Sequence, residues 1–231
     1  MAFGNGPRIV TSGLVLSLDA ADRNSYPSTG TTWFDLSGQG NNGTLTNGPT
    51  FNSANGGAIV FDGVDDYVNV PYNTVLNTPN GATYELWIYR SNGGTFLARG
   101  TSDSGATPDN PRLYVYPGTG QVYYDWSSVG VDKYGYSTAN IDANTWNQIT
   151  LTATPGSYMA LYINGVDRTG SPFGGTLANP LPNTSDPLII GGSSWAGVFT
   201  GRIASTKLYN RALSATEVLQ NYNALKSRFN L

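Results

Sequence analysis

The chain has 231 residues, of which 39% are hydrophobic and 12% charged, with a formal net charge of −3. It contains neither histidine nor cysteine. That excludes Ser-His-Asp and Cys-His catalysis, histidine- or thiolate-bound metals, and disulfides. The 12 Lys and Arg residues never cluster, so neither nucleic acid nor an anionic membrane surface is an expected partner.

Residues 1–12 lack the basic-then-apolar pattern of a signal peptide. Release by lysis, by another export route or as part of a particle is therefore expected. The first strand signal follows. Leu14, Leu16 and Leu18 alternate with Val15, Ser17 and Asp19, the period of two that marks a half-buried strand. The Gly/Asn/Thr-rich run from Ser37 to Thr50 is flanked by Trp33-Phe34 and Phe51 and reads as an ordered surface loop. Asp62-Gly63-Val64-Asp65-Asp66 then puts three carboxylates into one turn. Glu85 stands on a strand whose same-face neighbours are Thr83 and Trp87. From Tyr114 to Tyr136 seven aromatics crowd together: Tyr114, Tyr116, Tyr123, Tyr124, Trp126, Tyr134 and Tyr136.

Two clean alternations come next. Ile149, Leu151 and Ala153 alternate with Gln148, Thr150 and Thr152, and Met159, Leu161 and Ile163 alternate with Tyr158, Ala160 and Tyr162. The Asn164-Gly165 step after them predicts a type I′ hairpin turn, because both residues tolerate positive φ. Near the end, Ser214-Ala215-Thr216-Glu217 spells a capping box. Val218, Tyr222 and Leu225 then share a helical face with Leu219 beside them, and Lys226 and Arg228 lie where cations suit the helix dipole. About a dozen strands, one short C-terminal helix and no linker predict one all-β domain of two packed sheets.

An ordered set of segments carries a family resemblance. It includes Gly13 to Ala20, Thr32-Trp33-Phe34-Asp35-Leu36-Ser37-Gly38, Val60 to Val68, Tyr84 to Ile88, Leu161 to Gly165, Leu188 to Gly192, and Leu208 to Ser214. Together they resemble laminin-G-like domains of the concanavalin A-like lectin/glucanase superfamily over nearly the whole chain. Residues 13–68 look most like domains in structural proteins of tailed bacteriophages. The resemblance implies an all-β, two-sheet antiparallel jelly-roll sandwich over residues 13–231, with residues 1–12 ahead of it as an N-terminal arm, and binding of carbohydrate or protein more often than catalysis. It also implies a Ca²⁺ ion, for which Asp62, Asp65 and Asp66, with Asp19 and Asp22, are the candidate ligands, although the segment is not a full EF-hand loop.

Sugar rings stack their C–H faces on aromatic rings while hydroxyls seek amides and carboxylates. On that chemistry the ligand candidates are Tyr114, Tyr116, Tyr124, Trp126, Arg112 and Asp125, with Asn110 and Asp132 nearby; the same aromatics also suit a core or a subunit contact. The chain has two glutamates. Glu217 caps the helix and Glu85 has no acid partner two residues away, so the paired carboxylates of a glycosidase strand are missing. The expectation is a non-enzymatic module on the surface of a phage particle, in capsid or tail, that binds surface glycans or other virion proteins. Homo-oligomerisation stays open. The alternatives are a stand-alone bacterial carbohydrate-binding lectin, then extracellular, and a glycan-cleaving enzyme built on scattered aspartates. The sequons at Asn42 and Asn183 read as coincidental without a signal peptide.

Overall fold

Turn residues cut the chain into short strands wherever glycine and asparagine recur. A computed structural model describes residues 7–99, 111–128, 131–172, 174–192 and 197–231. In chain order the described strands are β1 Leu14–Asp19, β2 Thr32–Trp33, β3 Gly43–Thr46, β4 Thr50–Asn52, β5 Ala58–Asp62, β6 Tyr67–Val70, β7 Ala82–Arg90, β8 Gly94–Arg99, β9 Pro111–Val115, β10 Gln121–Ser128, β11 Val131–Asn140, β12 Trp146–Ala153, β13 Met159–Ile163, β14 Val166–Asp167, β15 Leu188–Ile190 and β16 Thr200–Tyr209. The helix α1 spans Ala215–Leu225 and continues as a 3₁₀ turn, Lys226–Phe229.

The strands form two eight-stranded antiparallel sheets. Sheet A runs β14-β13-β12-β7-β16-β5-β4, and sheet B runs β11-β10-β9-β8-β15-β6-β3-β2. Strand β16 is long enough to serve two partners on one edge: Arg202 and Ile203 meet β5, and Lys207 and Leu208 meet β1. The sheets pack face to face as the expected jelly roll. Leu16, Leu86, Ile149, Leu161 and Leu208 of sheet A meet Val68, Phe96, Leu113, Val122 and Ile190 of sheet B in one core. The predicted turn is present: Asn164 (φ 53°) and Gly165 (φ 74°) join β13 to β14 with Ile163 opposite Val166. The predicted capping box is present too, with Ser214 and Glu217 bonding reciprocally.

Three local expectations change. The run from Ser37 to Thr50 is a loop only in part, because Gly43–Thr46 pairs as β3 between β2 and β6. Asp35 organises the segment before it by accepting from the backbone N–H groups of Ser17, Ser37 and Asn41. Strand β12 is buried on both faces, not half-buried: Gln148 and Thr150 are fully enclosed. The reason lies more than sixty residues away in the chain. Helix α1 and the 3₁₀ turn cover the outer face of sheet A, where Trp87 stacks on Phe229 at 4.2 Å and on Tyr222 at 5.8 Å. Arg228 does not serve the helix end. Its guanidinium ties the tail to the body through Asp19 Oδ1 (2.7 Å) and the carbonyls of Asn55 and Gly57.

Under the helix lies a closed polar network. Lys207 Nζ donates to Glu85 Oε1 at 3.1 Å and Asn221 Nδ2 donates to Glu85 Oε2 at 2.7 Å. Asn221 also accepts from the backbone N–H of Val10, and the Tyr209 hydroxyl donates to the Val10 carbonyl. The described part of the arm is thus packed on the domain: Val10 is buried beside Leu213 and Val218, and the Arg8 carbonyl accepts from Gln220.

Candidate functional site

Strands β9, β10 and β11 form one end of sheet B, and their register decides which side chains meet. Tyr123 of β10 lies opposite Tyr114 of β9 and Tyr136 of β11; Asp125 lies opposite Arg112 and Tyr134. Because side chains alternate along a strand, these residues share the face of sheet B that points away from the core. There the rings of Tyr114 and Tyr123 stack at 5.4 Å, the Tyr116 ring stands edge-on to both at 5.4 and 4.8 Å, and Tyr136 reaches Tyr123 at 5.9 Å. Arg112 Nε donates to Asp125 Oδ1 at 2.8 Å beside them. Tyr116 and Tyr134 are 41% and 43% exposed, so the patch is a firmly packed aromatic shelf with open rims. Burial, and then the neighbouring Asp125 charge, push the Tyr114 hydroxyl well above its usual range.

Four of the six candidate ligand residues, Arg112, Tyr114, Tyr116 and Asp125, therefore lie together. The other two do not. Tyr124 and Trp126 point the opposite way, into the core, and are 1% and 3% exposed. Trp126 packs edge-on against Tyr84 at 6.3 Å, and burial pushes the Tyr124 hydroxyl up to about 12. The Tyr124 ring lies over Gly135 of β11, where a side chain would collide with it. Tyr123 and Tyr136 take their place on the shelf. Asn110 and the side chain of Asp132 lie outside the described residues.

The candidate metal ligands also divide. One carboxylate oxygen from each of Asp62, Asp65 and Asp66 lies within 4.8 Å of the others. Asp66 is 4% exposed and accepts from the backbone N–H of Asp62 at 3.0 Å. Burial raises the Asp66 carboxyl above its usual range, and the charges of Asp62 and Asp65 push the same way. Three such oxygens fit part of the six to eight, roughly, that Ca²⁺ takes. Asp19 and Asp22 are not among them. On β16, Asp19 pairs opposite Ser205 while Asp62 pairs opposite Thr200, about 16 Å apart at strand rise. Asp19 is held by Arg228, and Asp22 accepts from Asn24 to close a turn.

Both glutamates are engaged in ion pairs. Glu85 is fully buried against Lys207, and Glu217 accepts a bidentate pair from Arg211 at 2.6 and 2.9 Å. That pair, with the Ser214 backbone, draws the Glu217 carboxyl down to about 2.

Comparison with solved structures finds the same fold. Domain 4 of AbnA, an extracellular GH43 arabinanase from Geobacillus stearothermophilus, superposes with a TM-score of 0.71 at 18% identity, over 91% of this chain and 98% of that one. The binding domain of Paraclostridial Mosquitocidal Protein 1 gives 0.69 at 19% identity, and Trypanosoma rangeli sialidase gives 0.62 at 16%. This chain is covered to 92% and 93% by these two and spans only 52% and 33% of their lengths. No curated protein matches in sequence. A family model for the concanavalin A-like lectin/glucanases superfamily matches residues 62–219. With more than half of the chain under that match and the two antiparallel sheets in place, the chain belongs to the concanavalin A-like lectin/glucanases superfamily.

Proposed function

We propose that the domain is a non-enzymatic glycan-recognition module, carried on a tailed-phage particle as a structural or adhesion component, and that it binds sugar on the tyrosine shelf of sheet B. The observation that carries this reading is the contact of Tyr114, Tyr116, Tyr123 and Tyr136 on one outward face beside the Arg112–Asp125 pair. Fixed aromatic rings offer stacking area at low entropic cost, with the open Tyr116 ring at the rim and Tyr114 and Asp125 buried beneath as its support. The arabinanase domain was solved with arabinotriose, and the mosquitocidal fragment is named a binding domain; both support the reading. The phage setting rests on the resemblance of residues 13–68. Both glutamates are committed to ion pairs and there is no histidine or cysteine, which supports binding without turnover. Ca²⁺ at Asp62, Asp65 and Asp66 is part of the same proposal.

The test is a glycan array probed with the wild type, Tyr116→Ala and Tyr123→Ala, together with labelled-antibody imaging of purified virions. Binding that both variants lose supports the shelf; binding that both retain, or an array with no response, overturns it. Virions that take no label overturn the phage setting alone and leave a stand-alone lectin. One observation favours a second reading: exposed Tyr116 and Tyr134 at the rims also suit a subunit contact. Under that reading sedimentation shows an oligomer that Tyr116→Ala disperses.

A further inference from the structure

A second concavity lies away from the shelf. The segment after β6, including the 3₁₀ turn Thr74–Leu76, faces residues 183–185 across an open cleft of about 570 Å³. Tyr72, Thr74, Asn77, Asn183, Thr184 and Ser185 line it, and no charged side chain does so among the described residues. The Tyr72 ring is 42% exposed, and Asn183 and Ser185 are exposed as well.

The two walls are tied to each other. Asn77 Oδ1 accepts from the Thr184 backbone N–H at 3.1 Å, and the Pro79 carbonyl accepts from the Leu181 N–H at 2.9 Å. Behind them the buried Arg99 guanidinium bridges both walls, donating to the Leu76 carbonyl at 2.6 Å and the Asp186 carbonyl at 3.1 Å. Asn77 is thereby held with its amide nitrogen toward the Tyr72 hydroxyl, 3.5 Å away. That separation is at the outer limit of a hydrogen bond, so the amide keeps donor capacity for a ligand.

We infer that this cleft is a second saccharide site, taking one or two neutral sugar units with a C–H face against Tyr72 and hydroxyls toward Asn77, Asn183, Thr74 and Ser185. The volume lies within the range of small-ligand sites, and fixed walls avoid an ordering cost on binding. The uncharged lining disfavours phosphate or sulfate, for which charge-assisted bonds are the strong ones. The lining also has too many polar groups to leave unpaired under an apolar ligand. The site stands on its own geometry and does not depend on sugar binding at the shelf.

The test titrates the ¹⁵N-labelled full chain with arabinose, galactose, glucose, mannose and N-acetylglucosamine, and follows amide shifts. At least one sugar is expected to move the amides of 72–78 and 183–186 with saturation. Tyr72→Ala and Asn183→Ala alter exposed side chains, so the remaining spectrum should stay in place while apparent affinity falls about tenfold or more, on the order of 1.4 kcal/mol. Tyr116→Ala should leave the cleft shifts untouched. The inference is overturned if no sugar moves those amides, if the shifts survive both cleft variants, or if Tyr116→Ala removes them. Failure of the shelf reading would show separately, as still amides at 112–116 and 121–126.

Discussion

Lys207→Met removes the counterion of a carboxylate that has no water to turn to. The Glu85 and Lys207 side chains are 0% and 2% exposed, and the pair closes at 3.1 Å beneath helix α1. Methionine keeps most of the lysine stem, so the packing loss is small and the electrical loss dominates. Glu85 would retain one charge-neutral partner, Asn221 Nδ2 at 2.7 Å. Stranding a buried charge in this way costs about 3–5 kcal/mol, a large fraction of the roughly 5–15 kcal/mol that holds a domain folded. For a chain of this size each kcal/mol moves Tm by about 2–4 °C, so a fall of roughly 6–20 °C is expected. Urea unfolding followed by tryptophan emission reports the change directly, with an unaltered m-value confirming that folding stays two-state. The double variant Glu85→Gln/Lys207→Met should recover most of the loss, since a neutral amide needs no counterion and can still accept from Asn221. A loss below about 1 kcal/mol in the single variant would refute the reasoning, and so would a double variant as unstable as the single.

Replacing Trp126 tests the core side of β10: Trp126→Ala should cost about 3–5 kcal/mol in denaturant unfolding, whereas Tyr116→Ala on the open rim should stay within about 0.5 kcal/mol. Acid titration probes the helix start. The Glu217 carboxyl is drawn from 4.5 to about 2 in the folded chain, so its contribution is complete above pH 4.5 and fades as pH falls toward about 2. Because the pair is partly exposed, that contribution is about 1 kcal/mol or less; Glu217→Gln should flatten this part of the stability–pH curve, and an unchanged slope would count against it. Calcium should raise Tm of the wild type and not of Asp66→Asn, while in chelator Asp65→Asn should be no less stable than the wild type, because it relieves repulsion on a carboxyl already raised by burial and by its neighbours.

The sandwich was readable because its signals are local. Alternation in β12 and β13, the Asn164-Gly165 turn and the Ser214–Glu217 capping box each specify their own segment without help from elsewhere. The burial of Gln148 and Thr150 was not readable, since it comes from a helix more than sixty residues downstream that lies across β12 only in three dimensions. The aromatic region shows the boundary most clearly. In β10 the sequence alternates Gln121, Tyr123, Asp125 with Val122, Tyr124, Trp126, and aromatics occupy both sets. The signal that separates them was present: Asp125 and Gln121 mark the outer set, as Val122 marks the inner. Pro111, Leu113 and Val115 against Arg112 and Tyr114 repeat it on β9. The cleft had no local signal, because its walls are a hundred residues apart in sequence and meet through Arg99 from a third segment.

The docking of Val10 against Asn221 and Tyr209 has a geometric consequence. The first described residues and the C-terminal helix both lie on the outer side of sheet A, while the tyrosines look out from sheet B. A tether attached at Arg8 or at the C-terminal helix leaves from the back of the sandwich. A copy anchored to a particle, a bead or a sensor chip by either route would hold its aromatic face toward the surrounding solution, with the whole thickness of the domain as the spacer.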